Sequence, residues 1–450
     1  MNTQHNGVSE QWSSKWTFIL AATGAAVGLG NIWRFPYLIA DNGGSAFLFL
    51  YLFFLVILGI PILMSEILLG RHTRHNAIDA LKSLSQQHQR STRWQSIGWA
   101  GALALLLILA FYSVVSGICL SYLWHAVTQG FHPHSTAPQT VWLHLTGSAA
   151  RLTFWHSLFM LLTIGVILLG IKKGLEKATK IMMPALYLVL VTLVVYALIY
   201  GDGPAAIHFL FNFNPSKLLN IKTISMALGQ AFFSLALGAG AMLTYGAYAP
   251  SDTPLTFAAS VVALLEALVA ILAGLAIYPL LFQYHLPTTA MGDSLMFRVL
   301  PLAFAQIPGG YWIAITFFVS LLFAAWTSSI NLCEPLVLLL IQKWNMKRHA
   351  ATIAVGICAW AIGLLSLLSY NVLKHFTLAG WTLMQWNVNF PTNILLPLGG
   401  LGYAIFCGWI LPQRISQHEI NNKALFPIWF FLIRFVAPAA ILGILIFNFI

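Results

Sequence analysis

The chain predicts an all-α polytopic membrane protein: about eleven transmembrane helices in a 5+5 inverted repeat, with helices 1 and 6 broken. Composition is the first observation. Hydrophobic residues make up 59% of the chain and charged ones 7%, with a mean hydropathy of +0.82, whereas a soluble domain carries roughly 25% charged residues. The second observation is a series of apolar runs of the length that crosses a bilayer, about 20 residues. The third is that two of these runs, in corresponding places of two halves, are interrupted by glycines.

The spans fall near 15–38, 45–70, 96–128, 153–170, 180–200, 222–249, 255–284, 310–341, 350–369, 390–411 and 427–449. Several are long enough to tilt or to project from the bilayer. Residues 288–308 are interrupted by Pro301 and Pro308 and followed by Gly309 and Gly310, and read as a loop with short helices capping one face. The chain 1–450 reads as a single transporter domain, with repeats at about 12–200 and 222–411 and an extra helix at 427–449. Residues 1–14 are polar and hold no basic residue, so no cleavable signal peptide is apparent.

Loop charges set the orientation. With the N-terminus inside, the inner loops hold Arg71, Arg74, Lys82, Arg90, Arg93, Lys172, Lys173, Lys177, Lys180, Lys343, Lys347, Arg348, Arg414 and Lys423. The outer loops hold only Arg151, Lys217, Lys222, Arg298 and Lys374. The N-terminus is therefore expected in the cytoplasm, the chain in the cell (inner or plasma) membrane, and the C-terminus outside. The formal charge of +11 does not point to nucleic acid, because the positives are spread over short loops. Cys119, Cys333, Cys358 and Cys407 lie in apolar segments and read as small core residues. An enzyme has little support: His72 with His75 lacks a supporting ligand set.

The first break holds Gly24, Gly28 and Gly30, then Asn31 and Arg34, inside the first apolar run. Irregular backbone at bilayer depth survives only when buried in protein or lining a watery cavity. An ionisable residue there marks a functional site by default. The bland alternative is a glycine-rich packing face with a snorkelling arginine. Residues 233–241 repeat the oddity in the sixth run. Two broken spans in corresponding halves point to a transporter site. Half-helix N-termini attract a carboxylate, and freed carbonyls attract a cation.

The stretch Gly28-Leu29-Gly30-Asn31-Ile32-Trp33-Arg34-Phe35-Pro36-Tyr37 resembles the first-helix signature of the neurotransmitter/sodium symporters. The resemblance continues in Asp41-Asn42-Gly43-Gly44, in 61–66, in Gly229-Gln230-Ala231-Phe232-Phe233-Ser234 and in Trp326-Thr327-Ser328-Ser329. It covers nearly the whole chain and implies the bacterial, eleven-span amino-acid branch. Its reaction would be sodium-driven uptake by alternating access.

The resemblance implies two sodium sites. One would use the Ala26 carbonyl, the side chains of Asn31 and Glu266, and the hydroxyl and carbonyl of Ser234. The other would use the carbonyls of Gly24, Val27 and Ala324 and the hydroxyls of Thr327 and Ser328. All are oxygen donors, which suits a hard cation. Thr327-Ser328-Ser329 alone would read as interhelical hydrogen bonding. Glu266, deep in an apolar run, is costly unless protonated or paired. Chloride-independent relatives carry a carboxylate near this point, so Glu266 is expected to be a fixed negative charge beside the first sodium.

The implied substrate contacts are Ala26, Gly28, Gly30, Ile108, Tyr112, Phe233, Ser234, Ala236, Ala239, Ser328 and Leu332. Amine-carrying relatives place an Asp where this chain has Gly28, so the substrate is expected to bring its own carboxylate. Tyr112 matches a family tyrosine that binds that carboxylate; an interior aromatic with a satisfied hydroxyl is the plain alternative. No pocket residue is charged, and a bulky residue is common where Ala239 stands. A roomy pocket for a large aliphatic or aromatic side chain is expected.

Arg34, Gln230 and Phe233 would form the outer gate. Relatives close it against an Asp in the tenth span, but residues 335–418 contain no Asp or Glu. The nearest candidates, Asn387, Asn389 and Asn393, are neutral, so Arg34 is expected to bind Gln230, Asp293 or backbone. At the inner gate Trp12 is present, the usual basic residue upstream is replaced by Ser9, and the usual acidic partner falls near Gln342. Both gates therefore read as electrostatically weak. Gly174 and Pro184 match a Gly-x9-Pro arrangement at which the family's fifth helix unwinds; a plain proline kink is the alternative.

Within transport, the alternatives are a proton-coupled or an amine-selective carrier. From another class, the same scaffold could serve as a channel or a non-transporting sensor. A channel would want a continuous polar stripe, yet polar residues concentrate at two breaks, and no linker leads to an output domain. The expected partners are an amino acid, sodium and membrane lipids, with no nucleic acid.

Overall fold

Apolar runs in lipid must satisfy their own backbone groups, and helices do so within the segment. The computed structural model describes residues 10–131, 138–289 and 292–449. Among these, nine helices are long and apolar enough to cross a membrane: Ser45–Thr73, Thr92–Thr128, Ala149–Leu168, Ile171–Tyr200, Leu255–Gln283, Gly310–Trp344, Arg348–Leu368, Leu383–Ile410 and Leu425–Ile446. The pair Lys15–Ala26 and Gly30–Asp41, bent by 48°, makes a tenth span. The expected sixth span is two shorter helices, Ile221–Ser234 and Ala241–Ala247, which flank the non-helical residues 235–240.

Two boundaries differ from expectation. The fifth span starts at Ile171 rather than near 180, because a wide π-helical turn at Ile171–Glu176 leads into it. It stays helical across Gly174 and Pro184, so the implied unwinding is not seen. The tenth span starts at Leu383 rather than near 390. Thr382 and Gln385 form a reciprocal cap there, which fixes the helix start further upstream. Cys358 is exposed on the ninth span and is not a core residue, while the other three cysteines are buried.

Both breaks are stabilised by specific polar groups. In the first, the helix begins at an Ser14 cap and ends at Ala26, and Val27 turns extended with ψ of 117°. In the second, Ala236, Gly238 and Gly240 take φ of +51°, +86° and +72°. Only glycine adopts that region without strain. The Leu396 carbonyl of the tenth span also lies where a Gly238 Cβ would stand. The buried Glu66 carboxylate of the second span accepts the Gly238 N–H at 2.6 Å, so a donor freed by the break is not left unpaired.

The first, second, sixth and seventh spans pack on one another. The third, fourth, eighth and ninth form a second group, and the first span meets the eighth across the seam between the two. Both breaks lie at this seam. As expected, the stretch before the eighth span folds into short helices, Gly292–Ser294, Leu295–Val299 and Leu300–Phe304. In the orientation that the loop charges predict, Trp12 lies on the inner face and Lys222 on the outer one.

Candidate ion and substrate site

Asn31, Glu266 and Ser234, from three different spans, converge on one buried point. Asn31 Nδ2 donates to Glu266 Oε1 at 2.5 Å, and Ser234 hydrogen-bonds to the same carboxylate. Asn31 Oδ1 accepts the Gly28 N–H at 3.2 Å. Tyr51, which the sequence reading missed, donates its hydroxyl to both Glu266 oxygens at 2.6 and 2.5 Å. Tyr51 sits among leucines and phenylalanines and carries no local signal. Only the need of a buried carboxylate for donors could have pointed to it.

The second oxygen cluster joins the first span to the eighth. Ser328 Oγ donates to the Val27 carbonyl at 2.8 Å and reaches the Gly24 carbonyl at 3.4 Å. Thr327 Oγ1 reaches the Ala324 carbonyl at 3.1 Å and the Phe323 carbonyl at 2.8 Å. Of the five oxygens expected to form one site, the Ser328 hydroxyl is thus bonded to the carbonyls of Gly24 and Val27, and the Thr327 hydroxyl to that of Ala324. Chemically, a hydroxyl that rotates its proton away offers a lone pair to a cation in the same place.

Beside this cluster the Leu29 N–H, freed by the break, donates to the Tyr112 hydroxyl. A Cβ at Gly28 would meet that hydroxyl and Ser328 Oγ. Among the described residues, the filled space beside Gly28 therefore presents a backbone donor and a phenol hydroxyl, both able to serve a carboxylate, and no acidic side chain. Above it lies a cavity of about 740 Å³ whose lining includes Gly30, Arg34, Tyr112, Phe233, Asp293 and Asn389. It extends to Asp41 and Lys222 at the outer end. Ala26, Gly28, Ile108, Ser234, Ala236, Ala239, Ser328 and Leu332 lie outside this lining, and all but the half-buried Ala236 are buried. The roomy pocket expected at Ala239 is not open. Leu105, Pro335, Leu336 and Leu339 surround a space of only about 20 Å³ there.

Arg34 departs from expectation. Its guanidinium lies over the Phe233 ring, 5.0 Å from the centroid. Gln230 instead donates to the Gly30 carbonyl at 3.4 Å, and its Oε1 has no partner among the described residues. Asn389 and Asn393 line the cavity, but Asn387 donates to Ser366 at 2.5 Å on the ninth span. Asn387 is therefore removed as a gate candidate.

The inner side is closed and is not charge-poor, which corrects the expectation. The Trp12 ring stacks on Tyr245 at 5.6 Å, and the Trp12 backbone N–H donates to the Tyr248 carbonyl at 3.1 Å. The Tyr248 hydroxyl donates to buried Glu334 at 2.9 Å, and Arg348 grips that carboxylate with bonds of 2.6 and 3.1 Å. Gln342 is occupied elsewhere, accepting from Asn76 at 2.7 and 2.9 Å. Ser9 lies outside the described residues. Sequence spacing looked for the acid at Gln342, and Glu334 lay two helical turns nearer the site.

A model described as the sodium:neurotransmitter symporter family matches residues 9–142 and 143–450. The uncharacterized sodium-dependent transporter YhdH of Bacillus subtilis is 35% identical over 444 residues, covering 96% of each chain. The crystal structure of MhsT in complex with L-phenylalanine superposes with a TM-score of 0.90 at 36% identity, covering 98% of this chain and 99% of that one. The human sodium-dependent neutral amino acid transporter SLC6A17 is 28% identical over 300 residues, 60% of this chain and 40% of its own.

Removing one partner of a buried ion pair strands the other charge, at a cost of about 3–5 kcal/mol. Arg348→Gln should therefore lower the thermal midpoint of the purified protein in detergent. Adding Glu334→Gln should recover much of that loss, since no stranded charge remains. A double variant less stable than Arg348→Gln alone would show that the pair is not the origin of the effect.

Proposed function

The chain belongs to the sodium:neurotransmitter symporter family, and on that premise we propose that it is a sodium-coupled symporter taking up a neutral amino acid with a large aliphatic or aromatic side chain. The observation that carries this reading is the set of polar groups beside Gly28. It offers the Leu29 N–H and the Tyr112 hydroxyl, with no carboxylate to pair an amine. A decarboxylated amine would need an acidic group there, which disfavours the amine-selective alternative. Support for the substrate class comes from the phenylalanine bound in the MhsT structure and from the neutral amino acid transporters among the relatives.

Two sodium ions are proposed. The first would sit among Ala26, Asn31, Ser234 and Glu266, with the substrate carboxylate as a further oxygen. Asn31 would turn its Oδ1 from Gly28 to the ion. The second would replace the hydroxyl protons that now link Ser328 and Thr327 to the carbonyls of Gly24, Val27 and Ala324. Binding of substrate and ions would draw the two helix groups together over the cavity, and release would require the Trp12 side to open. The N-terminus would be cytoplasmic, as the loop charges indicate.

The direct test is uptake of labelled amino acids into proteoliposomes. Phenylalanine, leucine or tryptophan should accumulate under an inward sodium gradient and not under a proton gradient alone. Gly28→Asp should abolish this uptake, because the new carboxylate would repel the substrate's own in a low-dielectric site. Accumulation of tyramine or tryptamine by the natural chain would overturn the substrate class.

Loss of an oxygen ligand should weaken sodium coupling. Asn31→Ala and Thr327→Ala should each lower apparent sodium affinity at least tenfold, about 1.4 kcal/mol. Unchanged sodium dependence in both would remove the two-site assignment.

Chloride should be dispensable, because Glu266 supplies a fixed negative charge next to the first site. Replacing chloride by gluconate should leave uptake intact, and Glu266→Ser should reduce it. Strong chloride dependence of the natural chain would contradict this role.

A further inference from the structure

The outer cavity contains a cation and an anion that are not yet joined. Arg34 makes no ion pair among the described residues and rests only on the Phe233 ring. Two carboxylates line the same cavity, Asp41 and Asp293. Asp41 is already paired with Lys222 at 2.9 Å. Among the described residues, Asp293 accepts a hydrogen bond only from the N–H of its neighbour Ser294, at 2.8 Å. Arg298, on the same segment, makes no ion pair with it and lies over the Trp142 ring at 4.9 Å.

The segment carrying Asp293 already touches the outer half of the first span. Gly292 packs so closely on the Trp33 indole that a Cβ there would overlap the ring. Asp293 follows Gly292 in the chain, and Arg34 follows Trp33. The two charges thus flank the contact of Gly292 with the Trp33 indole and line a common cavity. Burial raises the Asp293 carboxyl above its usual range, against the opposing pull of its Ser294 hydrogen bond and of Arg298. Contraction of the cavity would expel water from both groups and strengthen their attraction as the local dielectric falls.

We propose that Asp293, from the segment between the seventh and eighth spans, is the carboxylate that closes the outer gate against Arg34. It takes the part for which the tenth span offers only Asn389 and Asn393. The idea rests on the alternating-access reading above but does not depend on which amino acid is carried.

The test uses the full chain with Cys358→Ser, which removes the exposed native thiol, and Val388→Cys, a half-buried reporter on the cavity wall. Labelling by a membrane-impermeant maleimide is timed in potassium, in sodium, and in sodium with L-phenylalanine. Sodium with phenylalanine should slow labelling, and Asp293→Asn should restore it about tenfold while Asp293→Glu preserves protection. Arg34→Gln should act like Asp293→Asn, and the double variant should label no faster than either single one. Asn389→Asp should return protection to Asp293→Asn. Additive effects of the two single changes, or unchanged labelling in both Asp293→Asn and Asp293→Ser, would overturn the proposal. If no amino acid protects the natural chain, the substrate reading fails instead. The Arg34–Asp293 cycle is then read on the potassium-to-sodium difference, where the same non-additivity is required.

Discussion

Everything at the centre of this molecule follows from one constraint: backbone freed at bilayer depth must be satisfied by protein. Two helices stop and restart there, at 27–29 and 235–240, and each stop releases N–H and C=O groups with no water in the surrounding lipid. The second break is held by Glu66 on Gly238 N. The first is held by Asn31 on Gly28 N, Tyr112 on Leu29 N and Ser328 on the Val27 carbonyl. Apart from Asn31, which belongs to the first span itself, these partners come from the second, third and eighth spans. The breaks therefore fix how the two helix groups meet.

The same groups that stabilise the breaks are the ones a substrate and two cations would compete for. Hydroxyl protons of Ser328 and Thr327 now bridge the carbonyls where a cation would bind. The Tyr112 hydroxyl occupies the Leu29 N–H that a substrate carboxylate would bind. Such a site is closed to the wrong chemistry without being empty. A ligand must supply interactions at least as good as those it displaces, which is how a preformed polar cluster turns into selectivity. The Tyr51 hydrogen bonds join those of Asn31 and Ser234 in orienting the Glu266 carboxyl group within an apolar span.

The two ends of the site differ in kind. The inner end is sealed by Trp12 on Tyr245 and by the buried Glu334–Arg348 pair with Tyr248. The outer end opens through a cavity of about 740 Å³ in which Arg34 has an aromatic neighbour and no acid. In the orientation that the loop charges predict, this is an outward-facing arrangement: Glu334 and Arg348 are paired where the protein is shut, while Arg34 and Asp293 stand apart where it is open. Interconversion would have to break the first set and make the second, so the relative strength of the two sets biases the resting state.

The sequence by itself determined the class, the number and order of the spans, the two breaks, and the residue types gathered at them. Those features are written in local composition: apolar run length, glycine interruption, and polar residues where none should be tolerated. It also named Asn31, Ser234, Glu266, Thr327 and Ser328, which the fold then brought into two clusters. Tertiary structure alone decided the rest, because it depends on contacts between residues tens to hundreds of positions apart. Tyr51 and Tyr248 look like ordinary aromatics until their partners, Glu266 and Glu334, are seen. Gln342 stands at the spacing expected of an acid, yet Asn76 holds it. Ala239 removes bulk from one side of a pocket, but Leu105 and Leu336 fill the space from the other. Packing density and hydrogen-bond satisfaction belong to the assembled core, and no single segment encodes them.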